Sequence, residues 1–145
     1  MARRLPRVVL DTNVLLVSIS PRSDSYWLYE SFLLGKFTLC VTTEVLMEYA
    51  EIISRHMGQT FCEQTLEVIL SAVNTRRIIP AYRFNLLRDP DDNKFVDCAI
   101  AANARCIVSH DRDFWVLREV EFPKMAVVDT KKFYELLSLS FPRTE

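Results

Sequence analysis

A chain of 145 residues, half of them hydrophobic and only two of them glycine, has the length and composition of one globular domain with a sizeable buried core, which excludes a disordered tail or a glycine-rich linker architecture. Its formal net charge of −1 argues against a protein that grips nucleic acid by bulk electrostatics, so any such contact has to be local. Residues 1–145 therefore read as a single domain, with the last few residues expected to form a loose tail.

Arg3, Arg4 and Arg7 precede the apolar Val8-Val9-Leu10, but Asp11 interrupts the run where a signal peptide needs continuous hydrophobicity. No stretch approaches a transmembrane length, so a cytoplasmic protein without membrane contact is expected. Arg7 to Leu10 is the first predicted strand. A helix follows near Ser25 to Leu34, ended by Gly35, then a strand from Phe37 to Val41, helices at Thr43 to His56 and Thr60 to Asn74, and a strand from Arg77 to Ile79. The segment Arg88-Asp89-Pro90-Asp91-Asp92-Asn93 reads as a turn into a helix N-terminus, where acids favour the helix dipole. That helix spans Asp92 to Ala104, and Asn103, which tolerates the left-handed conformation, is a candidate stop. Cys106 to Ser109 is a strand, Arg112 to Val120 a helix, Met125 to Val128 a strand and Thr130 to Leu139 the final helix. Short apolar runs alternating with longer helical patterns specify an α/β fold with a mostly parallel sheet. Cys40, Cys62, Cys98 and Cys106 show no CxxC pair and sit among apolar neighbours, as buried reduced thiols do.

Acidic residues stand at or just beyond the carboxyl ends of predicted strands: Asp11 after Val8-Val9-Leu10, Glu44 and Glu48 after Leu39-Cys40-Val41, and Asp111 after Ile107-Val108-Ser109. In open α/β sheets ligands bind at that edge, and parallel strands would make these carboxylates converge. Helical phase separates the two glutamates. Val45, Leu46, Tyr49, Ile52 and Ile53 define the apolar face of their helix, so Glu48 falls at its border while Glu44 and Glu51 point further toward solvent.

Asp97 is the lone charge in Phe95-Val96-Asp97-Cys98-Ala99-Ile100-Ala101-Ala102, a stretch apolar on nearly every side. A buried carboxylate needs a metal, a shifted pKa or a partner, and the alternatives to a metal are a salt bridge to Lys94 or Arg105 or a hydrogen bond with Asn93. Gathering Asp11, Glu48, Asp97 and Asp111 would be unfavourable without cations, since two like charges about 4 Å apart repel by roughly 4 kcal/mol at an effective dielectric near 20. All-oxygen ligands suit Mg²⁺ or Mn²⁺ and disfavour zinc, for which there is no Cys/His set. His56 and His110 are isolated and read as exposed loop or helix-end residues.

Four segments in this order resemble the motifs of the PIN domain family: Val8-Val9-Leu10-Asp11-Thr12-Asn13, Glu44-Val45-Leu46-Met47-Glu48-Tyr49, Asp89-Pro90-Asp91-Asp92-Asn93-Lys94-Phe95 continuing through Asp97 to Ala102, and Ile107-Val108-Ser109-His110-Asp111-Arg112-Asp113-Phe114. The Asp-Pro-Asp-Asp-Asn-Lys-Phe segment is similar to the toxin branch of toxin–antitoxin systems. The resemblance implies a three-layer α/β/α sandwich around a mostly parallel sheet of four to five strands. It implies Asp11, Glu48, Asp97 and Asp111 as catalytic, metal-binding acids, with Asn13 and Ser109 as polar supports, Asp113 as a further candidate and Asp92 as an outer one. The glycine that many relatives place before the fourth strand is replaced here by Ala102-Asn103-Ala104-Arg105.

The implied activity is RNA cleavage assisted by one or two Mg²⁺ or Mn²⁺ ions, by in-line displacement, leaving a 5′-phosphate and a 3′-hydroxyl. Arg112 and Lys94, with Arg88 and Arg22, are candidate phosphate contacts, against the simpler reading of solvated surface charges. The implied partners are RNA, a cognate antitoxin and a second copy in a homodimer. Two rivals stand beside this reading. One is a receiver-like signalling domain, which also collects acids around Mg²⁺ but wants a lysine after a late strand where Ser109-His110-Asp111 stands. The other is a non-catalytic scaffold of the same fold that binds RNA or protein.

Overall fold

The computed structural model describes residues 4–140; Arg3 and the expected loose C-terminal tail lie outside the described residues. The elements in chain order are β1 (Arg7–Leu10), α1 (Thr12–Ser18), α2 (Tyr26–Leu33), β2 (Thr38–Val41), α3 (Thr43–Met57), α4 (Gln59–Ser71), β3 (Thr75–Arg77), α5 (Asn93–Ala101), β4 (Cys106–Val108), β5 (Val127–Val128) and α6 (Thr130–Ser140). Two 3-10 segments join them, Pro90–Asp92 leading into α5 and Arg112–Glu119 between β4 and β5.

The sheet is entirely parallel, in the order β3-β2-β1-β4-β5. Successive residues of a strand face opposite sides, and Val8, Val9 and Leu10 are all at most 1% exposed, so β1 is covered on both faces and the sheet is the middle of three layers. Hydrophobic continuity in the strands follows from that double coverage. Phe32, Phe37 and Phe133 form one aromatic part of the core, with ring centroids 5.9 Å apart for the first pair and 5.2 Å for the second. Asn74 is buried beneath this region and donates from Nδ2 to the carbonyls of Phe32 and Phe37 at 2.8 and 2.9 Å, which closes the exits of α2 and α4 onto the start of β2.

The chain steps from β1 to β2 to β3 on one side and then crosses to β4 on the other side of β1. The crevice between the carboxyl ends of β1 and β4 is therefore the point where strand order reverses, and crevices of this kind bind ligands in open α/β sheets. This order also disposes of the receiver-like rival, in which the second strand flanks the first and the third lies on the first strand's other side.

Beyond shifted ends of α4, α5 and β5, the structure departs from the sequence expectation in three elements. Helix α1 was not foreseen, because Val14-Leu15-Leu16-Val17 is a continuous apolar run without visible period; in the fold Val14, Leu15, Ser18 and Ile19 are buried while Asn13 and Val17 are exposed, the spacing of a helical face. Strand β3 lies two residues earlier than expected, and the segment from Arg112 is a 3-10 helix rather than an α-helix. Gly35 and Asn103 do end their helices with positive φ, at 74° and 52°. All four cysteines are buried free thiols, and burial pushes those of Cys98 and Cys106 up to about 12.

Candidate metal centre

Asp11 leaves β1 directly into this crevice. Its N–H donates to the Val108 carbonyl of β4 at 3.0 Å, which ties the two strand ends together. The carboxylate is buried, and its Oδ2 accepts from the Ser109 hydroxyl at 2.9 Å. Ser109 Oγ in turn accepts the N–H of Asp111 at 3.0 Å, so one buried hydroxyl orients Asp11 and the turn that carries Asp111. Asp111 Oδ1 then accepts the Asp113 N–H at 2.9 Å and starts the 3-10 segment. Desolvation raises the Asp11 carboxyl above its ordinary pKa, the Ser109 hydrogen bond works against that, and the charges of Asp111 and Glu48 add to it.

Glu48 reaches the same place from α3. Tyr49, fully buried beside it in sequence, donates from its hydroxyl to the Leu10 carbonyl at 2.5 Å, and this bond docks the helix against the end of β1. The Thr12 hydroxyl donates to Glu48 Oε2, while Lys94 Nζ donates to Oε1 at 2.9 Å. Glu44, one turn earlier, is exposed and pairs with Arg83 at 2.6 Å, which lowers its pKa. The phase argument thus matches the placement of both glutamates.

The acid at the start of α5 departs from the sequence expectation, since Asp92 ends the 3-10 segment and caps that helix. Asp92, taken as an outer candidate, faces the cluster: its carboxyl is pushed up to about 7, chiefly by desolvation and then by the charges of Asp89, Asp11, Asp111 and Glu48. One carboxylate oxygen from each of Asp92, Asp111 and Asp113 lies within 4.8 Å of the others. Asp97 faces elsewhere. It follows Asp92 by five residues, which turns it about 140° around a helix, and its Oδ1 accepts the Phe84 N–H at 3.0 Å with Arg83 nearby. Its partner is thus a backbone amide of the long segment before Pro90, and not the salt bridge to Lys94 or Arg105 or the bond with Asn93 weighed from sequence. Asn93 itself holds that segment too, its Oδ1 accepting from Leu87 N–H at 2.9 Å.

The remaining candidates fall less centrally. Asn13 is exposed, and its neighbour Thr12, which sequence reasoning passed over, is the residue that touches Glu48. Thr12 directly follows Asp11, and only the existence of α1 reveals that its hydroxyl turns toward α3. Arg22, Arg88 and Arg112 are exposed, and Lys94 is engaged by Glu48. His110 shares a hydrogen bond with Thr130 at 3.1 Å on the surface, and His56 is exposed.

Asp92, Asp111 and Asp113 form the close carboxylate group among the described residues, with Asp11 and Glu48 near enough for their charges to act on Asp92; oxygen donors of this kind are the type that suits a hard divalent cation. The elevated Asp92 carboxyl fits this assignment, because a cation relieves the mutual repulsion that raises it. Thiols held near 12 are protonated and supply no competing soft ligand.

Solved structures with the same fold include VapBC2 from Rickettsia felis bound to a promoter DNA fragment (TM-score 0.60, 19% identity, 85% of this chain and 98% of that one). VapBC-1 from nontypeable Haemophilus influenzae is similar at a TM-score of 0.59, with 14% identity over 86% of this chain and 98% of that one. The PIN domain endonuclease Utp24 is similar at 0.50, with 15% identity over 85% and 84%. No curated protein sequence matches. The PIN domain family model covers residues 7–113, from the first residue of β1 through Asp113, and the chain belongs to the PIN domain family.

Proposed function

We propose that this protein is a divalent-metal-dependent endoribonuclease and the toxin half of a toxin–antitoxin pair. The observation that carries the reading is the acidic cluster at the carboxyl ends of β1 and β4, where Asp92, Asp111 and Asp113 each bring a carboxylate oxygen within 4.8 Å of the others and Asp92 is pushed up to about 7 by burial and by the charges of Asp89, Asp11, Asp111 and Glu48. Asp11, Glu48, Asp92 and Asp111 would hold Mg²⁺ or Mn²⁺, with Asp113 at the rim. When bound, the ion lowers the pKa of an attacking water and neutralises charge on the scissile phosphate and leaving oxygen.

The chain's own residues prepare that chemistry. Ser109 keeps the Asp11 carboxylate turned into the crevice, and Thr12 and Lys94 hold Glu48 from two sides. The Lys94 ammonium places one fixed positive charge beside the acids, suited to a phosphate oxygen arriving with the metal. The likeness to VapBC structures supports a protein antitoxin as partner.

The test is incubation of the purified protein with end-labelled RNA in Mn²⁺, Mg²⁺ or EDTA, beside Asp11→Asn. Cleavage is expected only with a divalent ion and only in the wild type, yielding 5′-phosphate termini. Intact RNA in Mn²⁺, or equal cleavage by Asp11→Asn, overturns the reading and favours a non-catalytic scaffold.

A further inference from the structure

The 3-10 segment Arg112–Glu119 starts at the metal-site acids and carries a feature that the metal centre does not use. Three residues per turn bring positions three apart into register, and the burial pattern follows that period: Phe114 and Leu117 are buried, while Arg112, Trp115 and Arg118 are exposed. Trp115 sits between the two arginines in this column. Its ring centroid is 5.7 Å from the Arg112 guanidinium carbon and 4.9 Å from that of Arg118, and Trp115 as a residue remains 43% exposed. The ion pairs among the described residues involve Arg55, Arg83, Lys94 and Lys132, which leaves both guanidinium groups of the column without a carboxylate partner.

The geometry points to this column as a stacking subsite for single-stranded nucleic acid, leading into the metal centre. Indole and guanidinium planes both accept nucleobase faces, and the arginines supply charge for the flanking phosphates. The column rises about 2 Å per residue, so it extends roughly 12 Å from Arg112, the residue after Asp111, to Arg118. A base takes the face of the indole on the looser Arg112 side, and the displaced guanidinium turns to the neighbouring phosphate. This local device suits a chain whose net charge is −1. Stacking reads no base identity, so the subsite binds single strands with little sequence preference and excludes duplexes, whose bases are already stacked.

The proposal rests on the nuclease reading, and the experiment separates the two. Trp27 and Trp115 are the two tryptophans, so Trp27→Phe leaves Trp115 as the only indole reporter. In a Trp27→Phe, Asp11→Asn background, titration with a mixed-sequence single-stranded RNA should quench Trp115 fluorescence saturably, and the same sequence as single-stranded DNA should do so too. Trp115→Ala should weaken binding, read by fluorescence anisotropy of a labelled oligonucleotide, by about ten- to a hundredfold. Trp115→Phe should retain most of it, which distinguishes stacking from loss of fold. Arg118→Gln should flatten the salt dependence.

Binding with Trp115 unquenched and unchanged affinity in Trp115→Ala overturns the subsite, even if the wild type cleaves RNA in Mn²⁺. Quenching without any cleavage by the wild type overturns the nuclease reading and leaves a nucleic-acid surface. Indifference of Trp115 to oligonucleotide, with a blue shift on adding a co-expressed protein, overturns the subsite in favour of a protein interface.

Discussion

Lys94 Nζ lies 2.9 Å from Glu48 Oε1 in a pair whose side chains are only 19% and 21% exposed, so a lysine already provides one cation to the acidic crevice. It reaches Glu48 rather than Asp97, although Asp97 is only three residues away on the same helix. The crevice is thereby partly neutralised before any metal arrives.

Lys94→Met is expected to lower stability in EDTA by about 1–3 kcal/mol, between the values for exposed and buried pairs, because Glu48 is left beside other acids with only Thr12 as donor. Mn²⁺ should then recover part of the loss, so the metal-induced rise in Tm should be larger in Lys94→Met than in the wild type. Urea denaturation and thermal melts with and without Mn²⁺ measure both effects. Equal Mn²⁺ responses would show that Lys94 does not share the metal's electrostatic role.

Glu44 and Glu48, one turn apart on α3, give a comparison independent of the family. Glu48→Gln should reduce RNA cleavage at least a hundredfold, on the order of 3 kcal/mol of transition-state stabilisation. Glu44→Gln loses only an exposed ion pair with Arg83 and should stay within about threefold of wild type in rate and within 1 kcal/mol in stability. Initial rates at saturating Mn²⁺ decide it, and equal losses in both variants would contradict the placement of Glu48.

Asp92 and Asp97 separate metal binding from structural anchoring. Asp92→Asn should abolish cleavage and the Mn²⁺-dependent rise in Tm, since a ligand that binds only the folded state stabilises it by mass action. Asp97→Asn weakens the acceptor of the Phe84 amide and should cost about 1–2 kcal/mol while preserving the Mn²⁺ response. A lost Mn²⁺ response in Asp97→Asn, with Asp92→Asn still responsive, would reverse the assignment.

That pair also marks how far the sequence could be read. Strand ends and helical phase are local properties, and they are enough to bring Asp11, Glu48 and Asp111 toward one sheet edge, while Ser109 enters only through the family resemblance. For α5 the rule that a lone charge in an apolar stretch seeks a metal led to Asp97, because the competing partner is a backbone amide thirteen residues upstream in a segment without regular structure. Backbone donors leave no trace in composition. Asp92 was harder to rank, since at a turn before a helix its acidity is equally accounted for by capping and the helix dipole. Helix α1 and the 3-10 period at Arg112–Glu119 share a different cause: tertiary burial selects the period, and runs such as Val14-Leu15-Leu16-Val17 are compatible with several.

The raised Asp92 carboxyl sets a pH dependence whose sign can be stated in advance. The unfolded carboxyl ionises near 3.8, whereas in the fold desolvation, followed by the charges of Asp89, Asp11, Asp111 and Glu48, holds its proton to about 7. Between those values the folded state binds more protons than the unfolded state, so metal-free stability falls as pH rises, and the penalty is complete above about 7. Asp92→Asn removes that titration. In EDTA the Tm of Asp92→Asn minus that of the wild type should therefore be small near pH 4 and grow increasingly positive toward pH 8, levelling off above the folded pKa. Mn²⁺ reverses the order at high pH, because the ion binds the ionised carboxylate and stabilises only the wild type, with affinity rising through neutrality. Thermal melts of both proteins across this range, with and without Mn²⁺, make the comparison. A Tm difference that stays flat with pH in EDTA would mean that Asp92 is ionised throughout and is not held among the other acids.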